Sequence, residues 1–128
     1  MYTALVVDDQ QLFREIVREM LEAVGSFTVT GEAVNGAEAI MAYETLKPDV
    51  VLMDVQMDTM NGFEASERIV EAYPNAAVVL ISMSQDAEYA QMAKVAGAIG
   101  FFRKRDLDIE AVRALLDDHY GARRARAA

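Results

Sequence analysis

Five times along the chain a short apolar run gives way to a longer stretch with helical spacing, and this alternation restricts the fold more than any other feature. Leu5-Val6-Val7 stops at Asp8-Asp9 and precedes apolar residues at Leu12, Phe13, Ile16, Val17, Met20, Leu21 and Val24. That is a helical stripe, halted by Gly25-Ser26. Thr28 to Ala33 is a second β-prone run. Asn35 followed by Glu38 then has the capping-box pattern that opens a helix through Leu46. Lys47-Pro48 closes this helix, because the residue before a proline disfavours helical backbone. Val50-Val51-Leu52-Met53 ends in Asp54, and a turn-like segment to Asn61-Gly62 leads into a helix from about Phe63 with Ile69, Val70 and Tyr73 inward. Ala76 to Ser82 is the fourth and most apolar run. The helix expected from Asp86 to Ala96 has only Tyr89, Met92 and Val95 as large apolar residues, so its buried stripe is thin. Ile99 to Phe102 is the fifth run, ending in Arg103-Lys104, and the last helix runs from about Asp108 to Tyr120 with Ile109, Val112, Leu115 and Leu116 inward.

Continuous apolar runs read as strands buried on both faces, and their alternation with helices implies right-handed crossovers and a parallel sheet. The expected fold is a doubly wound α/β domain, a flavodoxin-like (βα)5 unit with five parallel strands in the order 2-1-3-4-5. The domain is expected over residues 1–120, with 121–128 a frayed basic tail or the start of a linker.

In an open parallel sheet, ligands bind beyond the carboxyl ends of the strands, where strand order reverses. The polar residues here follow that rule. The first strand delivers Asp8 and Asp9, the third Asp54, the fourth Ser82 and the fifth Lys104, while the second delivers nothing, as an edge strand would. Two unit charges about 4 Å apart repel by roughly 4 kcal/mol at an effective dielectric near 20, so three carboxylates cannot share a pocket without a proton or a cation. A lysine offsets part of this. A hard divalent ion with oxygen ligands is the fuller answer, and a few carboxylates plus waters suit Mg²⁺. Carboxylate nucleophile, metal, ammonium and hydroxyl together make a phosphoryl-transfer site, with Asp54 as the phosphate acceptor. Alternative roles are simpler: Asp8 and Asp9 could cap the first helix, Ser82 could cap its strand end, and Phe101 could be core.

Composition removes other chemistries. With no Cys and one His, there is no disulfide, thiolate nucleophile or zinc–thiolate site, and any metal is held by oxygen or by His119, which reads as a surface residue. Against 12 Lys plus Arg stand 21 Asp plus Glu, a formal charge of -9, which argues against nucleic-acid binding by this domain. No apolar stretch reaches membrane-spanning length and the N-terminus lacks a signal-peptide pattern, so no membrane association and a cytoplasmic location are expected.

Val7-Asp8-Asp9, Met53-Asp54-Val55-Gln56-Met57, the Asn61-Gly62 turn, Ile81-Ser82-Met83 and Gly97 to Lys104 resemble, in order and spacing, the CheY-like receiver domain of two-component response regulators. The match covers the chain to about Tyr120. The first helix and Ile81-Ser82-Met83 are most similar to receivers found ahead of LuxR/NarL-type helix-turn-helix domains. The resemblance implies that Asp54 takes a phosphoryl group from a sensor histidine kinase, a phosphotransfer protein or a small acyl phosphate. It implies that Asp9, Asp54 and the backbone carbonyl of Gln56 ligate Mg²⁺, with Asp8 acting largely through water. Lys104 would pair with the phosphoryl oxygens, Ser82 would swing to hydrogen-bond them, and Phe101 would move inward with it and reshape the face of the fourth helix, fifth strand and fifth helix. Three positions depart from the family pattern: Asp58 and Arg105 stand where prolines are common, and Phe101 where tyrosine is common.

Two classes of function follow. One is a phosphorylation-controlled signalling domain, with a kinase upstream, a downstream protein or output domain, and dimerisation on phosphorylation. The other is an aspartyl-nucleophile phosphatase or phosphotransferase. Such an enzyme needs a general acid close to the nucleophile, often two residues on, where this chain has Gln56, so turnover is not expected. A chain of 128 residues leaves no room for an output domain, so it is expected to be free-standing or the front part of a LuxR-type DNA-binding regulator.

Overall fold

The computed structural model describes residues 1–84 and 86–127, with the backbone alone at 123–127. In chain order the elements are β1 (Tyr2–Val7), α1 (Gln11–Val24), β2 (Phe27–Ala33), α2 (Gly36–Leu46), β3 (Val50–Asp54), α3 (Gly62–Ala72), β4 (Val78–Ser82), α4 (Glu88–Val95), β5 (Gly100–Arg103) and α5 (Ile109–Ala127), with a single 3-10 turn at Lys104–Asp106. The strands form one parallel sheet in the order β2-β1-β3-β4-β5, the expected order. Every residue of β3 and β4 is buried, which is why these two runs are apolar without alternation.

Each face of the sheet has its own core. Val6, Leu52, Val79 and Ile81 pack against Val17 and Leu21 of α1 and Val112 and Leu116 of α5. Leu5, Val51, Met53 and Leu80 point the other way, onto Tyr43 of α2, Ala65 and Ile69 of α3 and Ala93 of α4. Asn35 and Asn61 cap α2 and α3, each side-chain oxygen accepting the backbone N–H three residues on.

Three helices depart from the sequence-based expectation. Only the inner edge of the α1 stripe is buried: Leu12 is 70% exposed and Ile16 43%. Periodicity shows that a helix has an apolar side but not how wide a sector its neighbours cover. On α4, which is shorter than Asp86 to Ala96, the buried residue is Ala93, while Met92 is 42% and Val95 75% exposed. The helix sits close to the sheet through a small side chain, keeps Tyr89 half-buried against the core and turns Met92 and Val95 outward. Burying one methyl-sized group contributes about 0.8 kcal/mol, against about 1.5–3 kcal/mol for a Leu or Ile, so α4 is lightly held. Finally, α5 continues past Tyr120 to Ala127. Ala and Arg are among the strongest helix formers, enough to carry the helix through Gly121. The side chains of Arg123, Arg124 and Arg126, and Ala128 altogether, lie outside the described residues.

At the amino ends of the strands, Asp49 Oδ2 accepts the backbone N–H of Thr3 (2.8 Å) and its hydroxyl (3.3 Å). The Asp49 N–H returns a bond to Thr3 Oγ1 (2.9 Å), and Tyr120 donates its hydroxyl to the Asp49 carbonyl. His119 lies at this end too, half-buried, with Nε2 3.0 Å from the Asn75 carbonyl, and is less of a surface residue than its sequence suggests.

Candidate functional site

At the carboxyl ends, the β1–α1 loop and the end of β3 bring Asp8, Asp9 and Asp54 together, with one oxygen of each within 4.8 Å of the others. Asp8 and Asp54 are buried, at 1% and 5% exposure, and Asp9 is exposed. Lys104, directly after β5, reaches across to both buried carboxylates: Nζ is 2.9 Å from Asp8 Oδ2 and 3.7 Å from Asp54 Oδ2. One ammonium therefore serves two carboxylates of a cluster of three.

Asp8 is tied down locally. Its Oδ1 accepts the Gln10 N–H (2.8 Å) and its carbonyl accepts from Arg14 (2.8 Å). The capping role is thus partly real for Asp8, but the α1 cap position is Gln10, which has no side-chain cap. The other oxygen, Asp8 Oδ2, is beside Lys104 yet receives no aligned hydrogen bond and is buried. Asp54 is served no better: its Oδ1 accepts one long bond, from the Gln56 N–H at 3.4 Å. Burial first, and then the Asp8 charge, push the Asp54 carboxyl up to about 6, against the opposing pull of Lys104 and the Gln56 N–H. The Asp9 carboxyl is also raised, by burial, by Asp8 and in smaller part by Asp58, so the departure at Asp58 does make this rim more negative.

A buried carboxylate oxygen without a hydrogen bond, three converging carboxylates and no soft donor among them fit a hard divalent cation. Asp8, Asp9 and Asp54 are the residues able to hold one. The Gln56 side-chain amide turns outward and donates to Tyr89 Oη on α4 (3.4 Å).

Ser82 and Phe101 do not join this cluster by hydrogen bonds. Ser82 ends β4 on the strand next to Asp54, fully buried, and its Oγ accepts the Ser84 N–H at 3.0 Å. Phe101 pairs in register with Leu80 and is half-buried against the α2–α3–α4 core.

The site also uses residues that sequence reasoning missed. The Phe13 ring supports Lys104, whose Nζ lies 4.1 Å from its centroid, a cation–π contact with a residue that looked like part of an ordinary helical stripe. Gly62, visible in the sequence only as part of a turn, has a second purpose. A Cβ there would lie 2.4 Å from the Asp54 carbonyl and 2.8 Å from Val55 Cα, so glycine lets α3 begin against the end of β3. In the same loop Thr59 has φ 71, a left-handed conformation that a β-branched residue adopts only under constraint.

Five parallel strands in this order, with an acidic cluster and a lysine at the carboxyl ends, define a CheY-like α/β domain. The chain belongs to the response regulator receiver domain family, whose model matches residues 4–117; it is a receiver domain of the two-component type. It is 35% identical over 114 residues to the transcriptional regulatory protein DegU of Brevibacillus brevis, covering 87% of this chain and 48% of DegU. Against the chemotaxis protein CheY of Thermotoga maritima it is 41% identical over 101 residues, covering 78% of this chain and 82% of CheY. The signal receiver domain of the response regulator NarL from Mycobacterium tuberculosis superposes with a TM-score of 0.83 at 36% identity, covering 94% of this chain and 97% of that one. The likeness to LuxR/NarL-type receivers is borne out. The chain spans about half the length of the DegU-like regulators it matches. Among the described residues no helix is long and apolar enough to cross a membrane.

Proposed function

We propose that the domain receives a phosphoryl group on Asp54 from a sensor histidine kinase or a phosphotransfer protein, and that the acyl phosphate is its signal. The observation that carries this reading is the gathering of Asp8, Asp9 and Asp54 beside a single lysine at the strand ends. An Asp54 oxygen attacks phosphorus, the bond from phosphorus to the donor nitrogen breaks, and the donor imidazole, already protonated on its other ring nitrogen, leaves as the neutral ring. With a pKa pushed up to about 6, Asp54 is still mainly ionised at neutral pH and able to attack.

Lys104 already lies between Asp8 and Asp54, and a small swing brings it onto the new phosphoryl oxygens. Ser82 Oγ acts as an acceptor toward Ser84, which leaves its own proton for the phosphoryl group. Asp8, Asp9, Asp54 and the Gln56 carbonyl would hold Mg²⁺, which when bound neutralises charge on the carboxylates and the transferred group. Phe101 then moves inward and alters the α4–β5–α5 face, which supports a phosphorylation-dependent homodimer or a change in a downstream protein or output domain.

The domain is a switch and not a turnover enzyme, since Gln56 supplies no proton to a leaving group; only slow loss of phosphate to water is expected. Residues 1–120 form the receiver and 121–128 begin a linker or tail. The protein acts in the cytoplasm, without touching nucleic acid through this acidic domain, either free-standing or ahead of a LuxR-type DNA-binding domain. Incubation with acetyl phosphate should incorporate phosphate in a Mg²⁺-dependent manner. Asp54→Asn should abolish this, and equal labelling of the variant would refute the assignment.

A further inference from the structure

On the side of α4 away from β5, a groove of about 450 Å³ runs between α3 and α4. Its walls are Phe63 and the outward residues Met92 and Val95, with Ala96 at one end. The two helices are pinned at its base, where the buried Ser66 hydroxyl donates to the Ala96 carbonyl at 2.9 Å. Phe63 is braced from behind by Tyr89, edge-on at 5.3 Å, so the wall is preformed.

Carboxylates flank the apolar floor, Glu67 from α3 and Glu88 from α4. Neither is ion-paired to another described residue, whereas Glu64 nearby pairs with Arg68. Among the described residues no lysine or arginine lines the groove. The spacing of Glu88, Gln91, Met92 and Val95 puts them along one face of α4, so the groove presents an apolar track with one unneutralised carboxylate from each helix.

The geometry points to the α3–α4 groove as a docking site for a partner helix whose apolar stripe is flanked by lysine or arginine. The apolar stripe removes Met92 and Val95 from water, and the flanking cations meet Glu67 and Glu88. Charge selects against the other occupants. A second copy of a chain of net charge -9, or an anionic membrane surface, brings like charge to both carboxylates. This surface is separate from the α4–β5–α5 face and requires no modification of Asp54.

The test uses the full chain with methyl-labelled methionines. The probe is a synthetic helical peptide carrying leucines at i, i+3, i+4 and i+7 flanked by arginines, with a glutamate-flanked peptide as its counterpart. The Met92 methyl signal is expected to shift saturably with the arginine peptide, while Met41 and Met83, 68% and 70% exposed on other surfaces, stay in place. The glutamate peptide should bind at least tenfold more weakly. Glu67→Lys combined with Glu88→Lys should reverse the preference, and Val95→Ser should weaken both peptides. Each variant changes exposed residues, and retained labelling of Asp54 by acetyl phosphate shows that it is folded. No Met92 shift up to millimolar arginine peptide, equal shifts at Met41 and Met83, or unchanged affinity in the double variant would overturn the proposal. A Met92 shift driven by protein concentration alone would assign the groove to a second copy instead.

Discussion

Strand β3 has an aspartate at each end, and the two could hardly be treated more differently. Asp49, just before the strand, has its carboxylate answered by the Thr3 N–H and hydroxyl, and its backbone by Thr3 and Tyr120. Asp54, at the last residue, has one long backbone bond, a lysine at 3.7 Å and two further carboxylates in front of it. A satisfied carboxylate at a strand end supports the fold. An underserved one weakens it, and is tolerated where the missing partners arrive with a ligand. The contrast locates the working end of the sheet without reference to any relative.

The largest expected effect sharpens the contrast by removing the costly carboxylate. The Asp54 carboxyl is raised from 3.8 to about 6 in the folded state, so the native protein holds its proton where the unfolded chain has lost it. The sign follows: below about pH 4 the group is protonated in both states and contributes nothing. From there stability falls as pH rises through the folded value, reaching a penalty of about 3 kcal/mol above it. In EDTA at pH 7.5, Asp54→Asn should therefore be more stable than the parent by up to that amount in urea unfolding, with the gap closing near pH 4. Added Mg²⁺ should raise the parent's midpoint and narrow the gap, because a ligand that binds only the folded state stabilises it. A variant less stable than the parent at pH 7.5 would break the comparison.

Next in size is the opposite change at the other end. Asp49→Ala leaves the Thr3 N–H and hydroxyl without their acceptor, and an orphaned, partly buried donor costs about 1–3 kcal/mol. The loss should appear in the same urea experiment with little dependence on Mg²⁺, while labelling of Asp54 by acetyl phosphate proceeds at the parent rate. Substitution of the aspartates at the two ends of one strand would thus move stability in opposite directions. Loss of labelling in Asp49→Ala would show that the two ends are not independent.

Sequence reasoning reached the working end better than the closed one, for a physical reason. Asp8, Asp9, Asp54 and Lys104 could be read because strand ends in a parallel sheet must converge, and the periodicity located the ends. The Thr3–Asp49 pairing joins residues distant in the chain through side chains of a common type, and nothing in either local pattern marks it. Phe13 looked like core because an aromatic in a helical stripe usually is, and only the assembled fold puts Lys104 over its ring. For α4 the apolar positions were right, and Tyr89 does face the core in part, but Met92 and Val95 turn outward. Spacing finds a face, while the neighbours decide whether it turns in, and here Ala93 took the inward place that Met92 and Val95 were expected to fill.

The smallest expected effect tests how the closed end is held. Tyr120 contributes a ring stacked on Tyr2, with centroids 5.9 Å apart, and a hydroxyl donated to the Asp49 carbonyl. Tyr120→Phe keeps the ring and removes the donor, so the loss is that of a hydrogen bond to a partly buried carbonyl, about 1 kcal/mol. It should be smaller than the cost of Asp49→Ala, since one hydrogen bond is lost where Asp49→Ala removes the acceptor of two Thr3 donors. Labelling should again be unaffected. The order of the two losses decides which contact organises this end. If Tyr120→Phe costs more than Asp49→Ala, then the docking of α5, and not the Thr3–Asp49 pair, holds the amino ends of β1 and β3 together, and the quiet behaviour of Asp49 is a consequence of the helix packed across it.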